Sequence, residues 1–424
     1  MNMQTKLPLS VAEQKIVDQF VDHVGVLPGC GVVTSLRDRL ICEIKDNGLP
    51  TRRLESWHYT NLKTLLRDIP DVRPADNVSV APALLSGSDV LLVANGHTAR
   101  MRDIDGVTLL PFRDCLTDPD TADDLIPNGP DDAIGQINGA FVFDGISMAI
   151  DDDAVLDAPI EIQLAQAGGQ AHTRLPVQFG ARSRATIVER HMARSGPEAL
   201  TTTVSTIDVG ESAEITWVIV QQCGEDDTHL GQTNIRLGAD AKLTIFILNA
   251  GGQLVRQELH VETTGEGADL TFRAINLLGG DSHNDITLTL GHNVAHTTST
   301  ETVRNVLFDR AAGVFQGQIR VAPDAQKTDA RMACNTLLLS DDADFSCKPE
   351  LEIFADDVQC AHGATVTDIE PAHLFYLMAR GIPEKAARAL LVQAFVEEIV
   401  EELPDEDLVD ALKTLIETWL EGHG

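Results

Sequence analysis

A short phrase recurs along the middle of this 424-residue chain. Read from each glycine it is GARSRAT at 180, GESAEIT at 210, GADAKLT at 238, GEGADLT at 265 and a worn GHNVAHT at 291, at steps of 30, 28, 27 and 26 residues. In the first four copies a small residue follows the glycine by three positions, and an apolar residue and a threonine follow at five and six, which is a turn feeding a strand. Flanking runs such as ITWVIVQ, KLTIFIL, ADLTFRAINLL and NDITLTL are rich in β-branched and alternating apolar residues, as strands require. An ordinary β-sandwich is the alternative, but sandwich turns come about every 8 to 12 residues and do not share a phrase. The even steps predict successive coils, each burying its inner face on its neighbours. The expected fold is mainly β, a right-handed parallel β-helix flanked by N-terminal and C-terminal α-helical regions.

The flanks read as helices. Ser10 and Glu13 have capping-box spacing before Ile16, Val17, Phe20, Val21 and Val24, which make one apolar stripe. A second segment carries Leu36, Leu40, Ile41 and Ile44 and stops at Gly48 and Pro50. Short apolar runs alternate with Pro, Asp and Gly clusters beyond Pro82. From Glu370 the pattern is helical again, with starts at Pro371, Pro383 and Pro404, and Leu408, Leu412, Leu415, Ile416, Trp419 and Leu420 on one side of the last helix. The expected organisation is a helical region over 1–80, a mixed connection over 81–165, the β-helix over 166–369 and a helical domain over 370–424. Taken alone, the last helices read as a cap over the exposed end of the coil, with a docking face as the alternative.

Composition narrows the function classes. A net charge of -33, with 65 acidic against 32 basic residues, repels phosphate backbones and anionic lipid, so neither nucleic acid nor membrane is an expected partner. Seven cysteines without a CxxC pair fit reduced thiols. The N-terminus lacks a basic start and apolar run, and no apolar stretch approaches the roughly 20 residues that span a bilayer. A soluble cytoplasmic protein is expected.

Several catalytic patterns are missing from the sequence: GxxxxGK[ST], GxSxG and HExxH. No nucleotide is expected on this chain by the P-loop route. His292 and His296 lie among strand residues and read as solvated or packed polar side chains, not as a metal pair. The aspartates of SDDADF, 340 to 345, do not complete a calcium loop and read as a solvated turn. The segment FADDVQCAHGATV, Phe354 to Val366, is different. In a strand Val358, Cys360 and His362 share one face. A thiolate with an imidazole suits iron, zinc or copper, but two ligands leave a tetrahedral site incomplete, so a partner chain would supply the rest. The alternative is a buried thiol beside a satisfied core histidine. Cys334, Cys347 and Cys360 are 13 residues apart, so Cys334 and Cys360 are expected to stack on adjacent rungs, about 4.8 Å apart.

FADDVQCAHGATV, with NTLLLSDDADFSCKPELEI before it and LFYLMARGIPEKAARALLVQAFVEEIV after it, resembles the core of the SufB/SufD family of iron-sulfur cluster assembly proteins. The likeness runs from about Asn305 to Glu402, and PTRRLESWHYTNL (50 to 62) resembles the family's N-terminal phrase, with His58 where a Lys or Arg is usual. The short length and the LFYLMARGI form favour the SufD-like branch over its longer SufB-like paralogue. The resemblance implies a scaffold subunit with no catalysis of its own. It implies pairing with a SufB-like paralogue through the β-helix, and docking of a SufC-like ABC-type ATPase on the helices from Pro371 to Leu420, which makes the cap reading secondary. It also implies that Cys360 and His362 hold iron or a nascent iron-sulfur cluster, transiently and shared with the partner. Self-pairing into a homodimer stays open. The other classes carried are a SufB-like scaffold, a stand-alone solenoid binding protein and a carbohydrate-active enzyme. The last has few stacking platforms, with 4% aromatic residues.

Overall fold

A left-handed corner explains why the glycine phrase repeats. In a computed structural model that describes residues 8–72, 78–194 and 196–423, the residue two past each of the first four glycines has positive φ: Arg182 (60°), Ser212 (58°), Asp240 (53°) and Gly267 (77°). The small residue one further on, Ser183, Ala213, Ala241 or Ala268, is fully buried inside the corner, and the next residue opens a strand. The fifth copy is offset. Gly291 lies within the strand His283–His292, while the left-handed residue is His296 (60°), with Thr297 buried after it and the strand Thr298–Leu307 following. The corner has slid three residues, and Val294 stands where the glycine was expected. A further corner at Lys327 (66°) and Thr328 carries no glycine phrase at all. Of the span 1–80, residues 1–7 and 73–77 lie outside the described residues.

The strands alternate between two sheets as the chain winds, so that each strand pairs in parallel with the one a full coil away. One sheet has ten strands, from Asp89–Ala94 to the terminal Gln359–Thr367 with His97–Arg100 at its other edge; the second has nine, from Val107–Pro111 to Asp344–Ile353. Pairing is parallel throughout except for the two strand pairs that close the N-terminal end. The register is unbroken from corner to corner: Arg184, Glu214, Lys242, Asp269, Thr298, Asp329 and Gln359 stand in line at the strand starts. Inward side chains such as Trp217, Ile245, Phe272 and Phe315 form one apolar core along the coil, each contributing roughly 1.5–3 kcal/mol by leaving water.

The outer face of each sheet carries helices. On the nine-stranded sheet, α1 (Val11–His23), α2 (Gly31–Asn47), the short α3 (Leu62–Leu65) and α4 (Phe112–Cys115), and α5 (Ala133–Phe141) bury Phe20, Leu40, Ile44, Ile137 and Phe141 against Leu200, Val204, Leu230 and Leu254. The capping box forms, with the Glu13 amide donating to Ser10 Oγ at 3.2 Å and the Ser10 amide to Glu13 Oε2 at 2.6 Å. Glu13 is wholly buried because it also accepts from Leu49 N and Lys63 Nζ. Of the predicted stripe Val21 is exposed. At the other end of the chain come α6 (Pro371–Met378), α7 (Glu384–Val400) and α8 (Glu406–His423). Here Val392, Val396, Ile399, Leu408, Leu412 and Ile416 pack on Val218, Phe246, Ile275 and Val306, outward residues of the ten-stranded sheet. Arg273 and Arg304 pin this contact through Glu402 and Glu398, each at 2.6 Å. The C-terminal helices therefore lie along the flank, and the cap reading fails: they do not cover the last coil.

Candidate functional site at the open end of the coil

The last coil is where the ladder stops. Asp344–Ile353 pairs only with Ala312–Val321, and Gln359–Thr367 only with Asp329–Leu338, so each has one edge without a strand neighbour. Their side chains are half-buried or exposed where those of the preceding coil alternate with buried ones. Backbone groups along such an edge are ready to pair with another chain. The coil interior also opens to the surface here.

Register decides what lines that opening. Ser299, Ala330 and Cys360 form one inward column, Glu301, Met332 and His362 the next, and Val303, Cys334 and Ala364 a third. Cys360 and His362 thus share the inward face of the terminal strand, as the two-residue spacing predicts. Cys360 is half-buried against the core beside Val358. Burial raises its thiol above the ordinary value, a hydrogen bond with the Ala330 backbone acts the other way, and the Asp329 and Glu301 carboxyls add to the rise. His362 is exposed. Among the described residues no three His, Cys, Asp or Glu side chains come close enough together to hold a metal ion. Cys360 is a soft donor and His362 a borderline one, two residues apart on the inward face of an edge strand, and two such donors would fill two positions of a tetrahedral site.

The expected stacking of Cys334 on Cys360 does not occur. Both point inward from adjacent strands, but Cys334 pairs with Ala364 and Cys360 with Ala330, which offsets them by four residues, about 13 Å along the strand. Interaction with Cys347 of the other sheet, with burial adding to it, raises the Cys334 thiol above the ordinary range, and the same interaction lowers that of Cys347. Asn305 Nδ2 donates to Cys334 Sγ at 3.5 Å, at the end of an interior amide ladder in which Asn249 donates to Asn276 (2.8 Å) and Asn276 to Asn305 (2.7 Å).

Glu301 was not singled out from sequence, although the alternation of TSTETVRNVL puts it on the inward face with Ser299, Val303 and Asn305. It is fully buried and neither carboxylate oxygen has a hydrogen-bond partner among the described residues. Burial pushes its pKa up to about 8. His292 is close by, buried and hydrogen-bonded to Thr297 Oγ1 (2.8 Å) and Ser299 Oγ (3.1 Å), and burial takes its pKa down to about 4. His296 sits on the exposed corner, so the two histidines are not brought together. The SDDADF aspartates occupy the turn before Asp344–Ile353, as expected.

The phrase at 50 to 62 is a strap over the outside of the nine-stranded sheet. Trp57 is buried beneath the Arg256 guanidinium, 3.9 Å from its ring centre, and donates to Asp131 O. The Ser56 carbonyl accepts from Arg256 (2.7 Å) and Gln316 (3.1 Å), Thr60 bonds Asp285, and Glu55 pairs with Lys348 at 2.8 Å. Lys348 adjoins Cys347, so the strap reaches the last coil from outside. His58 is exposed, its ring bonded to Arg52 O, and it takes no part in this network.

Residues 162–395 match the family model described as SUF system FeS cluster assembly, SufBD core domain. An iron-sulfur cluster assembly SufBD family protein of Synechocystis is 33% identical over 213 residues, covering 50% of this chain and 47% of the relative. The iron-sulfur cluster assembly protein SufD of Escherichia coli is 27% identical over 376 residues, 85% of this chain and 87% of the relative. The SufD of Bacillus subtilis is 27% identical over 239 residues, 55% and 54% of the two chains. The aligned stretch thus spans about half the length of two of these relatives and most of the third.

Proposed function

The chain belongs to the SufB/SufD family of iron-sulfur cluster assembly proteins, grouping with its SufD members, and from that premise we propose that it is a non-catalytic scaffold subunit whose open coil end joins a SufB-like paralogue. The observation that carries this reading is the placement of Cys360 and His362 on the inward face of a terminal strand whose far edge has no neighbour. A partner strand added along that edge would continue the ladder and bring its own side chains opposite the thiol and imidazole. Iron or a nascent cluster is then cargo held between two chains. This arrangement suits release, because neither chain alone supplies a closed site.

The C-terminal helices supply the second proposed contact, with a SufC-like ABC-type ATPase. Phe375, Tyr376 and Met378 of α6 and Leu390 of α7 are exposed apolar side chains on helices that hang from the flank of the coil. The firm seating of α7 and α8 gives such a partner a lever on the ten-stranded sheet. Movement of the ATPase would bias the scaffold toward one pairing geometry only in so far as it binds that geometry more tightly. No helix among the described residues is long and apolar enough to cross a membrane, and we place the assembly in the cytosol.

The test is anaerobic co-purification of the chain with a SufB-like paralogue and an ABC-type ATPase, with iron and acid-labile sulfide assayed. Wild type should recover all three chains with iron, whereas Cys360→Ala and His362→Ala should recover the chains at unchanged thermal stability and lose the iron. Full iron retention in both variants would refute the site assignment, and failure to recover a paralogue would refute the scaffold reading.

A further inference from the structure

We propose that Glu301 is a proton-holding residue for the cargo at Cys360 and His362: it stands by as a neutral acid and gives up its proton when a cation arrives at the open end, so that a buried carboxylate balances the charge brought in. The inference rests on the reading of that pair as the place where iron is held. Register sets the geometry. Trp217, Ile245, Phe272, Glu301, Met332 and His362 form one inward column, one residue per coil, so the acid stands between two apolar neighbours. Glu301 is fully buried, and neither of its oxygens has a hydrogen-bond partner among the described residues. The titratable groups that share this interior are His292, Cys334, Cys347, Cys360 and His362. His292 is bonded through both ring nitrogens, to Thr297 and Ser299. Arg273 lies on the outer face of the sheet, where Glu402 and the Thr300 carbonyl hold its guanidinium. A carboxylate placed here is a buried charge without a partner, and such a group keeps its proton instead.

Met332 stands between Glu301 and His362, which are two strand spacings or about 10 Å apart, so the acid is a neighbour of the cargo and not a ligand to it. A divalent cation forms bonds to the Cys360 sulfur and a His362 nitrogen; the S–H bond breaks and its proton goes to water. One positive charge then remains at the open end. Ionisation of Glu301 breaks its O–H bond, releases a second proton to water and cancels that charge. Across about 10 Å of protein interior a unit charge lowers the midpoint of the acid by about one pH unit. Burial sets that midpoint at about 8 before the cation arrives, so near neutral pH a shift of this size changes the state of the group. Departure of the cation returns the proton and leaves no buried charge behind.

The experiment uses the full chain, purified reduced, metal-free and without partners. Mercury(II) is the probe, a soft cation that a thiolate and an imidazole satisfy between them, and it is added until every accessible thiol is occupied. Two signals are read at about pH 7.5: the infrared carbonyl band of a protonated carboxylic acid, and the protons released into weakly buffered solution. Wild type should show an acid band that Glu301→Gln lacks. Mercury(II) should remove roughly half of that band, and wild type should release roughly half a proton more than Glu301→Gln, whose other thiols respond equally. In Cys360→Ser the band should stay in place. A wild type without the band, a band that mercury(II) leaves unchanged, or an equal loss in Cys360→Ser would overturn the proposal. The band is read in wild type and in Cys360→Ser, so the result stands even if Glu301→Gln does not fold. Mercury(II) supplies the charge in place of iron, so this outcome is separate from the cargo reading, whose own failure is iron retained by Cys360→Ala in the co-purification.

Discussion

Glu301→Gln should make this protein more stable, and by an amount that depends on pH. The carboxyl is fully enclosed, neither oxygen meets a donor in hydrogen-bonding geometry among the described residues, and burial raises its pKa from 4.5 to about 8, with the nearby Ser299 hydroxyl and Arg273 guanidinium acting the other way. A raised folded-state pKa means that the stability belonging to the protonated form is fully present below 4.5 and is lost progressively as pH rises to about 8. Each unit between these limits costs about 1.4 kcal/mol, so the wild type is penalised by about 3 kcal/mol at pH 7 and by about 5 kcal/mol above pH 8. Glutamine has the same shape, leaves as many polar atoms unmatched, and carries no ionisation cost. Urea unfolding of both proteins at intervals from pH 5 to 9 should show the curves nearly meeting at pH 5, diverging with pH and running parallel above pH 8. A constant difference across that range, or a glutamine variant that is less stable at pH 7, would refute the reasoning, because it would mean that the carboxylate is charged and compensated in the folded chain.

Three further outcomes follow from packing elsewhere in the coil. Arg256 is fully buried between Glu258 and Asp285, so Arg256→Met should lower stability by about 3–5 kcal/mol in chemical denaturation at pH 7, with partial recovery when Asp285→Leu and Glu258→Met are added. Burial alone would raise the Glu258 pKa, but Arg256 and His260 overcome it and hold it at about 2; the stability this provides is present above about 4.5 and lost as pH falls toward 2, and that acid limb should vanish in Arg256→Met. Ala241→Leu should lower the midpoint of thermal unfolding through a loss of about 1–3 kcal/mol, because the corner around this wholly buried residue has no space for a branched side chain; an unchanged midpoint would mean that the corners are not packed as described.

Much of the architecture is local and was legible as such. A corner needs one residue tolerant of positive φ and one small enough to be enclosed, and both lie within four residues of the glycine, so the phrase advertised the coil. The capping box and the stop at Gly48 were equally readable, since each joins groups three or four residues apart. The fifth copy misled by three residues because its glycine had left the corner, while the backbone kept the same turn at His296 without it.

The sequence by itself determined the coiled β architecture, its helical ends and the shared face of Cys360 and His362, because these depend on short spacings within a corner, helix or strand and on their recurrence once per coil. Only the tertiary structure decided that Cys334 and Cys360 do not stack, that Glu301 is sealed in with no hydrogen-bond partner among the described residues, that the phrase at 50 to 62 straps a strand 200 residues away through Arg256, and that the last helices lie along the flank and leave the end open. The physical reason is register. Side chains in neighbouring coils meet according to the number of residues each intervening corner absorbs, and a change of a few residues there moves every contact along the strand while leaving each local pattern intact.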